Sequence, residues 1–173
     1  MNNVSLVMTV LGKDRPGLVG LLAQVVADNS GNWLESQMAH LAGQFAGIVR
    51  VEVPQDQAKS LTDALHALDD LQVELVTNAD VAPTVSDKSP PAVRLELVGQ
   101  DRPGLVREIT QVLTAAGVNV EKFQTERTTA ANTGQLLFQA TAQLHIPSSV
   151  SQAELRDNLE HLAADLMVEI TLQ

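Results

Sequence analysis

The chain has 173 residues, of which 45% are apolar and 18% are charged, a composition that is typical of folded proteins and excludes a disordered chain. Eleven basic against 21 acidic residues give a formal charge of −10, and only 2% of the residues are aromatic, so direct binding of nucleic acid is disfavoured. The absence of cysteine excludes disulfides, thiolate metal sites and cysteine nucleophiles.

Hydrophobic periodicity in the first half predicts six elements in the order strand, helix, strand, strand, helix, strand. The first strand, over residues 4–11, is apolar on both faces, which is typical of a central strand. Further strands are predicted over 33–41, 45–53 and 72–77. The apolar residues at helical spacing are Leu18, Leu21, Leu22, Val25 and Val26 for the first helix and Ala58, Leu61, Leu65 and Leu68 for the second.

The second half predicts the same six elements in the same order. Val93, Leu95 and Leu97 alternate with charged residues, which indicates a half-buried strand. Ser151 and Glu154 have capping-box spacing at the start of the second helix. The remaining predictions are a helix with Leu105, Ile109, Val112 and Leu113 on one face, strands over 120–127 and 136–146, a helix with Leu155, Leu159, Leu162 and Leu166 on one face, and a strand over 167–172.

The order β-α-β-β-α-β in each half is that of the split βαβ, or ferredoxin-like, arrangement. We therefore predict an α+β protein of two tandem ferredoxin-like βαββαβ domains. Each domain would be an antiparallel sheet with two helices on one face. The other face of each sheet would need water or a partner.

The two halves also repeat in sequence. Residues 12–19 return at an offset of 87 with seven of eight positions identical, and eleven of 27 positions are identical over residues 11–37. The chain is therefore predicted to be a tandem of two related modules. Residues 78–92 contain three prolines, a composition that favours an extended tether. We predict a first domain over 1–80, a linker over 81–91 and a second domain over 92–173.

The repeated turn has the sequence Asp-Arg-Pro-Gly and joins the first strand to the first helix in each module. Proline is preorganised for the first helical turn, and the glycine after it leaves the backbone N–H groups accessible. Such a helix start attracts a carboxylate, and the adjacent Asp14 or Asp101 could accept from an ammonium group, so the turn suits an α-amino acid. The alternative is that the motif only starts a helix cleanly and is repeated by duplication alone.

Other chemistries have weaker signals. Gly12 and Gly17 have P-loop spacing, but Leu18 and Val19 stand where that motif needs Lys and Ser or Thr, so nucleotide hydrolysis is not predicted. No Gly-x-Ser-x-Gly sequence accompanies the serines.

The four histidines lack metal-ligand spacing. His66 and His161 are expected at solvent-facing positions of the second helices, whereas His40 follows the proposed site strand and could touch a ligand. Trp33 is expected to pack in a core or between domains, and its position beside Asn32 makes it a useful reporter.

The motif D-R-P-G-L-V opening an amphipathic helix, followed about fifteen residues later by Gly117-Val118-Asn119 or Ser30-Gly31-Asn32, resembles the ACT domain. That domain is a small regulatory module that commonly binds amino acids. Two such domains in so short a chain resemble the glycine cleavage system transcriptional repressor family. Residues 31–38 and 41–47 are more similar to that family than to ACT domains at large.

The resemblance implies that ligands bind where two ACT domains pack side by side, between the first loop of one and the second strand of a neighbour. The glycine of the first copy lies next to Asn32, so the two sites need not be equivalent and one could be empty. The implied ligand-binding residues are Asp14, Arg15, Pro16, Gly17, Leu18 and Asn32, then Asp101, Arg102, Pro103, Gly104, Leu105 and Asn119.

The leading hypothesis is a non-enzymatic sensor that binds a small amino acid, glycine or serine, with no other cofactor and no metal. The resemblance implies a transcription factor as protein partner and an effect on transcription without contact to DNA or a membrane. The alternative is a structural protein–protein interaction module with no functional ligand site. An enzyme is disfavoured because two regulatory-type domains use up the chain.

Two further expectations concern assembly and location. Exposed edge strands usually find cover, so a homodimer is expected. The N-terminal sequence lacks the pattern of a leader, and no apolar run reaches the roughly 18 residues of a membrane span, so a cytoplasmic protein is expected.

Overall fold

The computed structural model describes residues 2–77 and 92–173. The chain divides into two compact units, residues 1–85 and 86–173. The predicted linker over 81–91 lies outside the described residues, so the domain boundaries stay a prediction. No helix in the described parts of the chain is long and apolar enough to cross a membrane.

The first unit has the element order that its sequence predicts. Its strands form one sheet in the order β2-β3-β1-β4, and every neighbouring pair is antiparallel. The strand that is apolar on both faces, β1, is central, as predicted. The elements are β1 (Asn3–Lys13), α1 (Leu18–Asp28), β2 (Asn32–Leu41), β3 (Gln44–Pro54), α2 (Ala58–His66) and β4 (Leu71–Thr77).

The second unit repeats this topology. Its sheet has the order β6-β7-β5-β8, again with antiparallel neighbours only. The α+β class with two tandem ferredoxin-like domains is therefore confirmed. The elements are β5 (Val93–Gln100), α3 (Leu105–Ala115), β6 (Asn119–Thr129), β7 (Leu136–His145), α4 (Gln152–Leu166) and β8 (Val168–Leu172).

Strand alternation builds the core of each unit on one face of its sheet. In β1, Leu6, Met8 and Val10 are at most 2% exposed and pack in one cluster with Leu22 of α1 and Leu65 of α2. Both helices therefore cover the same face. Burying each large aliphatic side chain contributes about 1.5–3 kcal/mol. The second core contains Leu95, Leu97, Leu105, Ile109, Leu113, Leu144, Leu155 and Leu159.

Helix boundaries differ from the prediction by one or two residues where capping decides them. α2 ends at His66, before Leu68; Ala67 is its C-cap and donates the last helical hydrogen bond, to Asp63 O at 3.1 Å. α4 starts as predicted, with Ser151 Oγ accepting from the N–H of Glu154 at 3.3 Å.

The glycine before Asn119 terminates α3. Gly117 has φ 72° and donates to Thr114 O at 3.0 Å, while Val118 donates to Leu113 O at 2.9 Å. This pair of hydrogen bonds is the Schellman motif, in which a left-handed residue ends the helix.

The first unit ends α1 with the same motif but with a different residue at the left-handed position. Ser30 has φ 58° and donates to Ala27 O, and Gly31 donates to Val26 O at 2.8 Å. A Cβ on Gly31 would lie 2.8 Å from Val26 Cγ1, so close packing requires glycine there. The shifted glycine of the first copy is thus explained by how the helix ends.

Candidate functional site

The Asp-Arg-Pro-Gly turns join the first strand to the first helix of each unit. Gly17 is the N-cap of α1 with φ 90° and ψ 1°, so the helix begins at Leu18. These angles are those of the third position of a type II turn, for which Pro16 at the second position is favoured. Gly104 has φ 93° and ψ −7° and caps α3 in the same way, after Pro103. The prediction that proline opens the first helical turn is therefore wrong, because it precedes the cap.

The earlier glycine of each repeat permits close approach of a neighbouring strand. A Cβ on Gly12 would lie 2.6 Å from Asp70 O, and a Cβ on Gly99 would lie 2.8 Å from Val168 Cβ. Packing between strands therefore explains the P-loop-like spacing.

The first turn is held against the β2–β3 hairpin. The N–H of Asp14 donates to Gly43 O at 3.0 Å. Ala42 and Gly43 both have positive φ, as the two central residues of a type I′ hairpin turn do. This hairpin brings the end of β2, including His40, beside the start of α1.

A cavity of about 300 Å³ lies at this place, near the lower limit for small-molecule sites. Its walls come from the turn, the first turn of α1, the end of β2 and the start of β3. The lining residues are Asp14, Arg15, Gly17, Leu18, Val19, Gly20, Met38, Ala39, His40 and Phe45.

The cavity offers both charges that a zwitterion needs. α1 has no side-chain cap on its N-terminal N–H groups and no acidic residue in its first turn. Helix starts of this kind carry partial positive charge. Among the described residues Asp14 forms no ion pair, whereas Arg15 is paired with Asp70. An anion at the helix start and a cation at Asp14 would therefore both be stabilised.

In the second turn, the charged side chains of Asp101 and Arg102 both form ion pairs with residues of the same unit. Arg127 Nη1 lies 3.6 Å from Asp101 Oδ2, and Arg102 Nη2 lies 2.9 Å from Glu108 Oε2. Glu108 Oε1 and Arg107 Nη2 lie 3.5 and 3.6 Å from where a Cβ on Gly104 would stand. Side chains of the second unit therefore cover its helix start.

The difference between the turns arises from three substitutions between equivalent positions. At Gly17 nothing lies within 4 Å of the corresponding Cβ position. The offset of 87 and the strand registers equate Gly20 with Arg107, Leu21 with Glu108, and His40 with Arg127. Of these six, only His40 was expected to touch a ligand, and it lines the cavity; aligning the two copies beyond the shared motif would have found the other five.

The two asparagines lie away from the turns of their own units. Asn32 is the first residue of β2 and His40 the ninth, so they are about 26 Å apart along an extended strand. Asn119 likewise begins β6, opposite His145. The structure brings Asp14, Arg15, Gly17 and Leu18 together, and the contribution of the asparagines stays a prediction.

A larger cavity, of about 620 Å³, lies between α3 and α4 in the second unit. It is a groove of mixed polar and apolar lining on the helical side, away from the turns. His161 lines it, and the Nδ1 of His161 lies 2.7 Å from Asp157 O. His66 and His161 are exposed, as predicted. Within the described residues no cluster of three or more His, Asp or Glu could hold a metal ion.

Trp33 packs against the first core at the far end of β2 from the cavity. It therefore reports on folding of the first unit rather than directly on ligand at the turn.

Two family models match the chain. Residues 5–77 match one ACT domain model, and residues 93–141 match another. The glycine cleavage system transcriptional repressor of Escherichia coli (strain K12) is 27% identical over 168 residues, covering 93% of this chain and 85% of the relative. The protein of the same name from Shigella flexneri gives the same figures.

Two solved structures cover nearly the whole chain. An unknown protein from Galdieria sulphuraria has a TM-score of 0.86 at 29% identity, covering 99% of this chain and 98% of the other. A putative glycine cleavage system transcriptional repressor has a TM-score of 0.67 at 19% identity, covering 100% and 98%. At 19% identity the likeness shows a shared fold.

Proposed function

The chain belongs to the ACT domain family, and on that premise we propose that it is a non-enzymatic regulator that senses a small amino acid. The relative from Escherichia coli is named a transcriptional repressor of the glycine cleavage system. That name favours glycine as the effector and transcription as the process regulated, and we propose serine as the alternative effector.

One observation carries the proposal. At the first turn, uncapped main-chain donors, the carboxylate of Asp14 and a cavity of about 300 Å³ coincide. At the equivalent place in the second unit, Arg107 and Glu108 lie beside Gly104, and Arg127 is paired with Asp101.

The mode of binding follows from the charges. The ligand carboxylate would accept from the main-chain N–H groups at the start of α1, between Leu18 and Gly20. Its ammonium group would donate to Asp14, and its α-carbon would lie towards Met38 and Phe45. Hydrogen bonds that involve a charged group contribute about 1.5–3 kcal/mol each.

The second unit has a different proposed role. Because Asp101 and Arg102 are already paired within their own unit, a zwitterion would have to break those pairs before binding. We therefore expect one amino acid per chain, in the first unit. The alternative function, a structural interaction module without a ligand, is favoured for the second unit by the same observation.

The regulatory output would be linkage to a protein partner. A ligand changes the affinity for a partner only as far as it binds the partner-competent state better. We propose a transcription factor as that partner, because the net charge of −10 disfavours direct contact with DNA.

Calorimetric titration of the 173-residue chain with each of the twenty amino acids tests the proposal. We expect saturable binding of glycine or serine at one molecule per chain. If none of the twenty binds, the sensing function is wrong and the interaction-module alternative stands.

A second measurement tests the indirect action on transcription. Fluorescence anisotropy of labelled promoter DNA mixed with the protein alone should show no sequence-specific binding at physiological salt. Tight, sequence-specific binding would contradict the partner-mediated mechanism while leaving amino-acid sensing intact.

A further inference from the structure

The open faces of the two sheets differ in character although the units are repeats. At seven registers in the middle of the open face, the residues of the first sheet are apolar in six cases, and those of the second sheet are polar or charged in six cases. In the first unit they are Val7, Thr9, Leu11, Ala39, Ala46, Ile48 and Val76. In the second they are Arg94, Glu96, Val98, Glu126, Gln139, Thr141 and Gln173.

The apolar side chains of the first unit are accessible. Ile48 is 55% exposed, Val76 58% and Leu11 47%. In the second unit, the corresponding face carries the ion pair of Arg94 Nη2 with Glu96 Oε1 at 2.7 Å. An exposed apolar patch of this kind marks an interaction surface.

The apolar residues form a diagonal band across the four strands. The registers place Val76 beside Val7 at one end, Ile48 beside Thr9 in the middle, and Leu11 towards the other end. We call this surface the apolar band; its members are Val7, Leu11, Ala39, Ala46, Ile48 and Val76.

Two opposite charges flank the apolar band. Arg50 lies in β3 and pairs with Val7 of β1. Glu74 lies in β4, on the other side of β1, and pairs with Thr9. Arg50 Nε lies 3.3 Å from Glu35 Oε1 and is buried without a well-aligned hydrogen bond, so this one donor is unsatisfied.

We propose that the apolar band of the first unit packs face to face on the same band of a second copy of this chain. A twofold axis along the band lays it on itself, and it brings Arg50 of each copy opposite Glu74 of the other. An isologous interface requires this kind of self-complementarity. In such a dimer the two sheets would lie about 10 Å apart, with the side chains of their facing surfaces interdigitating.

The face is large enough for such a dimer. β1 has 11 residues and β4 has seven. A sheet of four strands, each about 4.8 Å wide and seven to 11 residues long at about 3.3 Å per residue, has a face of roughly 450–700 Å² per copy. Two copies would bury roughly 900–1,400 Å², a range that includes the ~1,000 Å² needed for a specific interface.

Sedimentation velocity over a range of concentrations, on the full chain, tests the proposal. The wild type should sediment with twice the 18.5 kDa mass of one chain. Ile48→Glu should raise the dimer dissociation constant about 30-fold or more, because it places a charge at the centre of the interface. The matched control Thr141→Glu, at the equivalent position of the second unit, should change it less than about threefold.

Charge reversal tests the twofold arrangement. Arg50→Glu and Glu74→Arg should each weaken the dimer about tenfold, and the double variant should recover most of the loss. Circular dichroism checks that each variant is folded. Glycine binding is a second check, because the proposal does not link the ligand site to the dimer.

Three results would overturn the proposal. They are a monomeric wild type, an Ile48→Glu variant that dimerises as the wild type does, and a double variant no tighter than the single ones. The second result would point to pairing through edge strands or the second unit. Loss of the dimer with glycine binding intact would leave the proposed sensing function standing.

Discussion

Arg127 of β6 and Asp101 of the second turn form an ion pair, with Nη1 and Oδ2 3.6 Å apart. The first unit places His40 at the position of Arg127, since His40 pairs with Phe45 as Arg127 pairs with Phe138. A carboxylate already paired with a guanidinium interacts less favourably with an incoming ammonium group. One residue on the neighbouring strand therefore decides whether the aspartate of the turn is available.

Substituting His40→Arg should convert the first turn to the closed arrangement of the second. The new guanidinium would pair with Asp14, and we expect glycine affinity to fall about tenfold or more. Isothermal titration calorimetry of the full chain measures this change. Arg127→His is the matched control and should leave the affinity unchanged. Equal losses in the two variants would show that the first turn is not the site.

Asp14→Asn removes the charge proposed to bind the ammonium group while nearly preserving side-chain size. We expect glycine binding to weaken by about 1.5–3 kcal/mol, the contribution of a hydrogen bond to a charged group. The measurement is the shift of the Trp33 unfolding midpoint in urea, because Trp33 reports on the first unit alone. In the wild type, glycine at about 100 times its dissociation constant should stabilise that unit by about 2.7 kcal/mol.

The matched control is Asp101→Asn, which breaks the pair with Arg127 in the second unit. It should leave the glycine-dependent shift of the Trp33 transition intact. A glycine-dependent shift of the Trp33 transition that survives Asp14→Asn would show that Asp14 does not bind the ammonium group.

Ser30 occupies the left-handed position that ends α1, where Gly117 ends α3. Ser30→Gly should stabilise the first unit by about 0.5–1 kcal/mol, because glycine adopts this conformation without steric cost. Urea unfolding followed by Trp33 emission measures the gain. The reciprocal variant Gly117→Ser should lower the free energy of unfolding of the second unit by about 1 kcal/mol. Urea unfolding followed by far-ultraviolet circular dichroism measures this loss. No change in either variant would mean that the Schellman geometry has no energetic consequence here.

The fold was predictable because local periodicity and topology agree. Leu6, Met8 and Val10 recur every second residue in a central strand, and the Ser151–Glu154 spacing marked a helix start that the structure has. Proline before glycine was misassigned, since Pro16 suits both a first helical turn and the second position of a type II turn. Only the dihedral angles of Gly17 separate these possibilities.

The site was only half predictable, because the shared motif is the same in both copies. What distinguishes them is tertiary. His40 is brought to the turn by the register of the β2–β3 hairpin, which no local pattern near Asp14 encodes. The open sheet face was predicted, but its cover was not, because alternation shows which residues face outward and not whether water or a partner covers them.

Substitution of Gly20 distinguishes two roles for the first turn, a purely structural one and ligand binding. It lies within α1, its φ is not positive, and nothing stands within 4 Å of a Cβ built on it. Gly20→Ala should therefore stabilise the helix by about 0.5–1 kcal/mol. Gly20 also lines the cavity, so the added methyl group should lower glycine affinity severalfold in the same variant. Urea unfolding by Trp33 emission and calorimetric titration measure the two effects on one sample. Greater stability with weaker binding is the outcome that a ligand site requires, whereas a turn that only starts a helix would gain stability and have no affinity to lose.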